Sequence, residues 1–151
     1  MNRRESFEAR VARETHEDRL WVIGRLQEEN SPAAKAREER DNLEHVWELF
    51  RLSQDDDRIK SLIYFVRSEL TQLIKIGITG EYKNRIRALE CGTGGSITRI
   101  ALFRGSSLHE MACHRCFNEF RTKGEWFRRD GILDEFLTEA ESLDAQESAV
   151  Q

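Results

Sequence analysis

Apolar residues in the first third of the chain predict two helices. They recur at roughly helical spacing over 4–29, which predicts a first helix with a thin apolar face. Ser31 and Pro32 then provide a good N-cap and a favourable first residue, so a second helix is predicted over 32–53. Its apolar stripe has amphipathic i, i+3, i+4, i+7 spacing: Leu43, Val46, Trp47 and Phe50. We expect the two helices to form a hairpin, with apolar faces covered by each other, by the following domain or by a second copy.

Short β-rich runs replace the helical pattern after Lys60. The runs at 62–66 and 73–79 predict a strand hairpin, and residues 81–91 predict a helix. Alternation of side-chain type over 97–103 predicts a third strand. The order of elements therefore predicts an α+β fold, with a small three-stranded antiparallel sheet flanked by helices.

The last third of the chain predicts two further helices. Ser107 and Glu110 have the spacing of a capping box, so one helix is predicted from there to about Phe120, and another over 131–143. The predicted organisation has three parts: a helical extension at 1–57, a domain at 58–143 and a disordered acidic tail at 144–151.

Charge is distributed unevenly along these parts. The 151 residues have a net charge of −4, yet residues 61–129 carry 12 Lys/Arg against 6 Asp/Glu. The flanking residues 1–60 and 130–151 are both acidic. Local positive charge attracts a phosphate backbone, so the middle segment is a candidate nucleic-acid surface. On charge alone, a merely solvated basic surface is an equally good interpretation.

Composition also narrows the class of protein. No apolar run approaches the ~20 residues of a membrane helix, and the first ten residues lack the apolar core of a secretory signal. We therefore expect a cytoplasmic protein without a membrane partner. The odd number of cysteines favours free thiols. A zinc site is a less favoured alternative, with only one CxxC pair among its possible ligands: Cys91, His109, Cys113, His114 and Cys116.

Five short motifs follow one another between residues 60 and 130. In order, they are Tyr64-Phe65-Val66, Lys75-Ile76-Gly77, Arg85, Glu110-x-x-x-His114-x-x-Phe117 and Gly124-Glu125-Trp126-Phe127. Tyr64 and Lys75 are 11 residues apart, and Lys75 and Arg85 are 10 apart. This order and spacing resemble the GIY-YIG nuclease superfamily, in particular a phage and bacterial branch with a KIG second motif. The first motif lacks its leading glycine, and Lys75 replaces the second tyrosine.

The resemblance implies a metal-dependent DNA endonuclease that hydrolyses phosphodiester bonds. Glu110 would hold one Mg²⁺ (or Mn²⁺), and Arg85 would contact the scissile phosphate. Tyr64 would orient or deprotonate the attacking water. Lys75 would neutralise phosphate charge, or act as a base if its pKa were lowered. His114 lies four residues after Glu110 on the same helical face, and it would assist the metal or the phosphate.

Each predicted site residue also has a structural interpretation. Glu110 would be a helix-capping glutamate, Arg85 a solvated arginine and Tyr64 a packed strand residue. Lys75 would be an outward strand residue, and His114 a hydrogen-bonded packing residue.

Other basic residues are candidate DNA contacts: Lys83, Arg87, Arg115 and Lys123. Glu125 would support Arg85 or the metal region. The alternative function is a catalytically inactive DNA-binding or protein-interaction module on the same scaffold. Residues 1–57 would then bind a second copy or a protein partner.

Overall fold

The computed structural model describes the backbone of residues 7–150 and the side chains of residues 13 and 15–147. Two compact units divide the chain between Arg40 and Asp41. Helix α1 spans Phe7–Glu29 and helix α2 spans Pro32–Ser53, so α2 begins in one unit and ends in the other. Residues 4–6 of the first predicted helix lie outside the described residues.

The first unit contains α1 and the start of α2. Ser31 caps α2 as predicted, because its Oγ accepts a hydrogen bond from the Ala34 backbone N–H at 3.1 Å. Four apolar side chains of α1 are about half exposed in the single chain, namely Leu20, Val22, Ile23 and Leu26. These side chains therefore do not form the packed face of a helical hairpin. Their coverage by a second copy stays a prediction.

The second unit contains a five-stranded sheet, so the predicted three-stranded sheet was wrong. Among the described residues the strands are β1 (Leu62–Ser68), β2 (Ile74–Thr79), β3 (Ile97–Arg104), β4 (Arg121–Lys123) and β5 (Trp126–Phe127). Their order is β3-β1-β2-β5-β4, and every neighbouring pair is antiparallel. The two unpredicted strands are only three and two residues long, too short to produce a visible alternation of side chains.

Three further α-helices complete this unit: α3 (Tyr82–Thr93), α4 (Ser107–Cys116) and α5 (Gly131–Val150). The helix predicted to continue to Phe120 ends at Cys116, and a short 3₁₀ turn, Asn118–Phe120, follows it. Helix α5 continues through Val150, into the segment that we expected to be a disordered tail.

One face of the sheet carries the core. Alternate residues of β1 and β2 point into it and are fully buried, for example Phe65 and Ile76. The second half of α2 lies on this face: the Phe50 ring stacks on Phe103 with centroids 4.5 Å apart. Phe136 of α5 lies against Phe65, with ring centroids 5.0 Å apart. Residues after Arg40 thus belong to the core of the domain, which is why the two units divide there and not at the predicted residue 57.

The described helices include none that is long and apolar enough to cross a membrane.

Candidate active site

The opposite face of the sheet presents Tyr64, Lys75 and Gly77. Tyr64 lies opposite Gly77 in the β1–β2 register, and its side chain packs across the glycine. A Cβ atom at position 77 would lie 2.2 Å from the Tyr64 hydroxyl oxygen, so the tyrosine needs glycine there. Helix α3 borders this face, with the ring of Tyr82 6.5 Å from that of Tyr64. The strand pairing and the bordering helix therefore fix Tyr64, which is only 1% exposed.

Arg85 extends from α3 beside Tyr64. The side chain is exposed, and its guanidinium forms no ion pair or hydrogen bond with a described residue. It is nevertheless close enough for its positive charge to oppose the rise in pKa of both Tyr64 and Glu110. A guanidinium with all its donors free, next to a tyrosine and a carboxylate, is suited to binding an oxyanion.

Glu110 lies on α4, and a hydrogen bond from His114 of the same helix attaches α4 to β2. The His114 Nε2 atom lies 3.0 Å from the Ile76 carbonyl oxygen. Glu110 lies one turn before His114, with its Oε1 atom 3.8 Å from His114 Nε2. Glu110 is thereby held at the border of the Tyr64 face, with its side chain 18% exposed.

The beginning of α4 does not use Glu110 as a cap. The predicted capping box of Ser107 and Glu110 is replaced by one of Ser106 and His109. The Ser106 backbone N–H donates to His109 Nδ1 at 3.0 Å, and His109 Nε2 bonds the Leu49 carbonyl oxygen of α2 at 3.2 Å. The Glu110 carboxylate is therefore free for another role, and the capping interpretation fails.

Lys75 and Glu125 form an ion pair within the site. The Lys75 Nζ atom lies 3.0 Å from Glu125 Oε2 and 5.4 Å from the ring centroid of Trp126. The Lys75 side chain is only 15% exposed, whereas Glu125 is 44% exposed. A hydrogen bond from the Ile76 N–H to the Glu125 carbonyl oxygen, 3.2 Å long, attaches this residue to β2. Lys75 is thus part of the site and is not an outward, solvated strand residue.

The charges of the site act on one another. Burial raises the pKa of Glu110, nearby Glu125 raises it further, and His114, Lys75 and Arg85 oppose the rise. Burial also raises the pKa of Tyr64, Arg85 opposes this, and Glu125 and Glu110 add to it. A raised pKa keeps the Tyr64 hydroxyl protonated, which favours orienting a water over removing its proton.

Three possible metal-ligating residues lie together: Glu110, His114 and Glu125 each have a ligand atom within 4.8 Å of the others. Oxygens in a Mg²⁺ shell are separated by about 3 to 4 Å, so small side-chain movements bring the two carboxylates to a common ion. The described residues offer no such group that includes a cysteine, and Cys113 is buried in the core. The structure therefore gives no support to the zinc alternative.

His114 has no free lone pair for a metal. Arg121 Nη2 lies 3.2 Å from His114 Nδ1, and a guanidinium can only donate. Nδ1 must therefore accept, which leaves the ring hydrogen on Nε2, where it donates to the Ile76 carbonyl oxygen. Although the ring is close to both carboxylates, its hydrogen bonds make it a positioning residue between α4 and β2.

Comparison of this chain with family models, curated proteins and solved structures finds no match.

The structure brings together the five residues predicted as catalytic: Tyr64, Lys75, Arg85, Glu110 and His114. The four predicted DNA contacts, Lys83, Arg87, Arg115 and Lys123, are all exposed. Helical geometry places Lys83 and Arg87 on one face of α3 and Arg85 on another. These two residues therefore do not share the position of Arg85.

From the sequence, Glu125 was expected to support Arg85 or the metal region, but not to form an ion pair with Lys75. No role at the site was predicted for Arg121. Arg121 donates hydrogen bonds to the Gly124 carbonyl oxygen at 2.5 Å and to His114 Nδ1. Its guanidinium also lies 5.0 Å from the centroid of the Phe127 ring. The only sequence signal for Glu125 was its place in the Gly124–Phe127 motif.

Replacing His114 with alanine should lower the free energy of unfolding by about 1–3 kcal/mol, because the Ile76 carbonyl and Arg121 each lose a partner. His114→Gln should recover part of this loss, since its amide can donate to the same carbonyl. Urea denaturation monitored by circular dichroism measures both. Unchanged stability in the alanine variant would contradict the positioning role.

Proposed function

We propose that this chain is a metal-dependent DNA endonuclease of the GIY-YIG type, which hydrolyses phosphodiester bonds. The observation that carries the proposal is the convergence of Tyr64, Lys75, Arg85 and Glu110 from four separate elements. The motif spacing alone does not require these side chains to meet. Their proximity supports one shared site for a phosphate group.

The chemistry requires a water to attack phosphorus while the bond from phosphorus to the 3′ oxygen breaks. The attacking water releases a proton to solvent, and the departing 3′ oxygen takes one up from solvent. Tyr64, protonated and rigidly packed, orients the attacking water. The unpaired Arg85 guanidinium binds the non-bridging phosphate oxygens with two parallel donors. Lys75 adds positive charge where negative charge accumulates.

Glu110 would hold the divalent cation, and its carboxylate fits this role because it is partly buried, does not cap its helix and lies near a second carboxylate. Mg²⁺ or Mn²⁺, when bound, supplies positive charge to the phosphate and the leaving oxygen. Burial first, and then the charge of Glu125, raises the pKa of Glu110, and a bound cation would offset both effects.

DNA would reach this site along the basic part of the chain. The exposed side chains proposed to contact more distant phosphates are Lys83, Arg87, Arg115 and Lys123. Contacts of this kind bind DNA without regard to sequence, and each should add to the salt dependence of binding.

A nuclease assay on supercoiled, branched and single-stranded DNA, with and without Mg²⁺ or Mn²⁺, tests the proposal. We expect cleavage of at least one substrate, with activity lost on chelation of the metal and regained when it is added back. Cleavage that survives chelation would contradict the proposed role of Glu110.

One observation favours the alternative of a binding module without turnover. Lys75 stands where the second motif of the wider superfamily has a tyrosine, and it forms an ion pair with Glu125 at 3.0 Å. Salt-dependent DNA binding with no cleavage of any of these substrates would support the alternative.

A further inference from the structure

Glu125 contributes a second carboxylate to the site, and the resemblance assigns it no metal. It lies directly before β5, attached through its carbonyl oxygen to the N–H of Ile76. Its side chain faces the same space as Glu110, because ligand oxygens of the two residues lie within 4.8 Å. Glu125 is therefore in the right place to act on whatever Glu110 binds.

Two carboxylates this close repel each other unless a cation lies between or beside them. In this structure Lys75 supplies that charge, with its Nζ atom 3.0 Å from Glu125 Oε2. Its side chain is held in place by the Trp126 ring, and only 15% of it is exposed. One ammonium group bound to one carboxylate does not neutralise the pair, and the nearby Arg85 guanidinium forms no ion pair with either carboxylate.

The third nearby group does not complete a metal shell, because both ring nitrogens of His114 are engaged in hydrogen bonds. The ligand atoms left for a divalent cation are carboxylate oxygens. Hard oxygen ligands with room for several waters are the set that Mg²⁺ and Mn²⁺ prefer.

We propose that Glu125 is a second carboxylate ligand of the divalent cation, and that the cation competes with Lys75 for this carboxylate. Binding of the cation frees the Lys75 ammonium from Glu125, so that it can contact the phosphate. A tyrosine at this position could not have this role, because it carries no positive charge to pair with Glu125 when no metal is bound. This inference rests on the proposed function, since it concerns the same metal.

Direct Mn²⁺ binding to the full chain without DNA tests this, measured by the electron paramagnetic resonance signal of free Mn²⁺. Glu125→Gln should weaken binding about tenfold or more, in the range of losses found for residues that support a metal. Lys75→Met should strengthen binding several-fold, because it removes the competing charge. Glu110→Gln should weaken binding at least as much as Glu125→Gln.

Two further variants keep the result interpretable. Glu125→Gln alone leaves the Lys75 ammonium without its partner, and the double variant Lys75→Met with Glu125→Gln removes this effect. The double variant should bind Mn²⁺ as weakly as Glu125→Gln alone. Glu90→Gln removes an exposed carboxylate from α3 and should leave binding unchanged. Thermal unfolding of each variant establishes that it is folded.

The outcomes separate this inference from the proposed function. If Glu110→Gln weakens Mn²⁺ binding but Glu125→Gln does not, Glu125 only positions Lys75 and the inference fails alone. If Lys75→Met weakens binding, the proposed competition is wrong. If the wild-type chain shows no saturable Mn²⁺ binding, both the inference and the metal-dependent function fail.

Discussion

Glu110→Gln should reduce DNA cleavage by at least about a thousandfold while leaving the fold intact. Glutamine has nearly the same volume as glutamate, but it has no charge with which to hold a divalent cation. Helix α4 should form normally, because Ser106 and His109 cap it and Glu110 does not. The rate of conversion of supercoiled DNA measures the loss, and circular dichroism measures the fold.

The control for charge is Glu90→Gln, which removes a carboxylate exposed on α3 and should cleave at the wild-type rate. Arg85→Ala should lose about a hundredfold or more, whereas Arg87→Ala should weaken binding without stopping cleavage. Arg85→Lys keeps the charge but loses the planar pair of donors, so it should recover only part of the activity. Normal cleavage by Glu110→Gln would show that the assigned site is wrong.

Gly77→Ala should destabilise the protein by about 3 kcal/mol and abolish cleavage. The added Cβ atom would lie 2.2 Å from the hydroxyl oxygen of Tyr64 and 2.4 Å from its Cζ atom. Because Tyr64 is buried between paired strands and α3, its ring cannot move aside without disturbing the sheet. Urea denaturation measures the stability, and the nuclease assay measures the activity.

Gly80→Ala is the matched control, since a Cβ atom there would meet no atom within 4 Å. A double-mutant cycle identifies the cause of the loss. In a Tyr64→Ala background the clash is absent, so Gly77→Ala should cost much less than it does in the wild type. If Gly77→Ala lowers the free energy of unfolding equally in both backgrounds, the glycine is required by its own backbone conformation and not by the Tyr64 ring.

Parts of this fold could be predicted because their signals are local. Helix α2 begins at Pro32 and ends at Ser53, as predicted from the Ser31 cap and the apolar stripe. Strands β1 and β2 were visible as β-branched runs. The β4–β5 hairpin was missed because strands of three and two residues contain no usable period.

The site was harder to predict because it depends on contacts between distant residues. The hydrogen bond between His114 and the Ile76 carbonyl oxygen, 38 residues earlier in the chain, helps to hold Glu110 at the border of the Tyr64 face. No periodicity in the sequence reveals such a bond. The cap of α4 was also misassigned, since histidine is not the usual partner in a capping box, and Glu110 had the expected residue type at a nearby position.

The attachment of α2 to the core determines how the domain can be studied in isolation. Leu43, Val46 and Phe50 are almost completely buried, and the Leu49 carbonyl oxygen bonds His109 at the start of α4. A fragment that begins at residue 58 would expose the aromatic side chains beneath α2 and leave His109 without its acceptor. Loss of function in that fragment would result from a disrupted core, so a minimal fragment that keeps the fold should begin no later than Asp41.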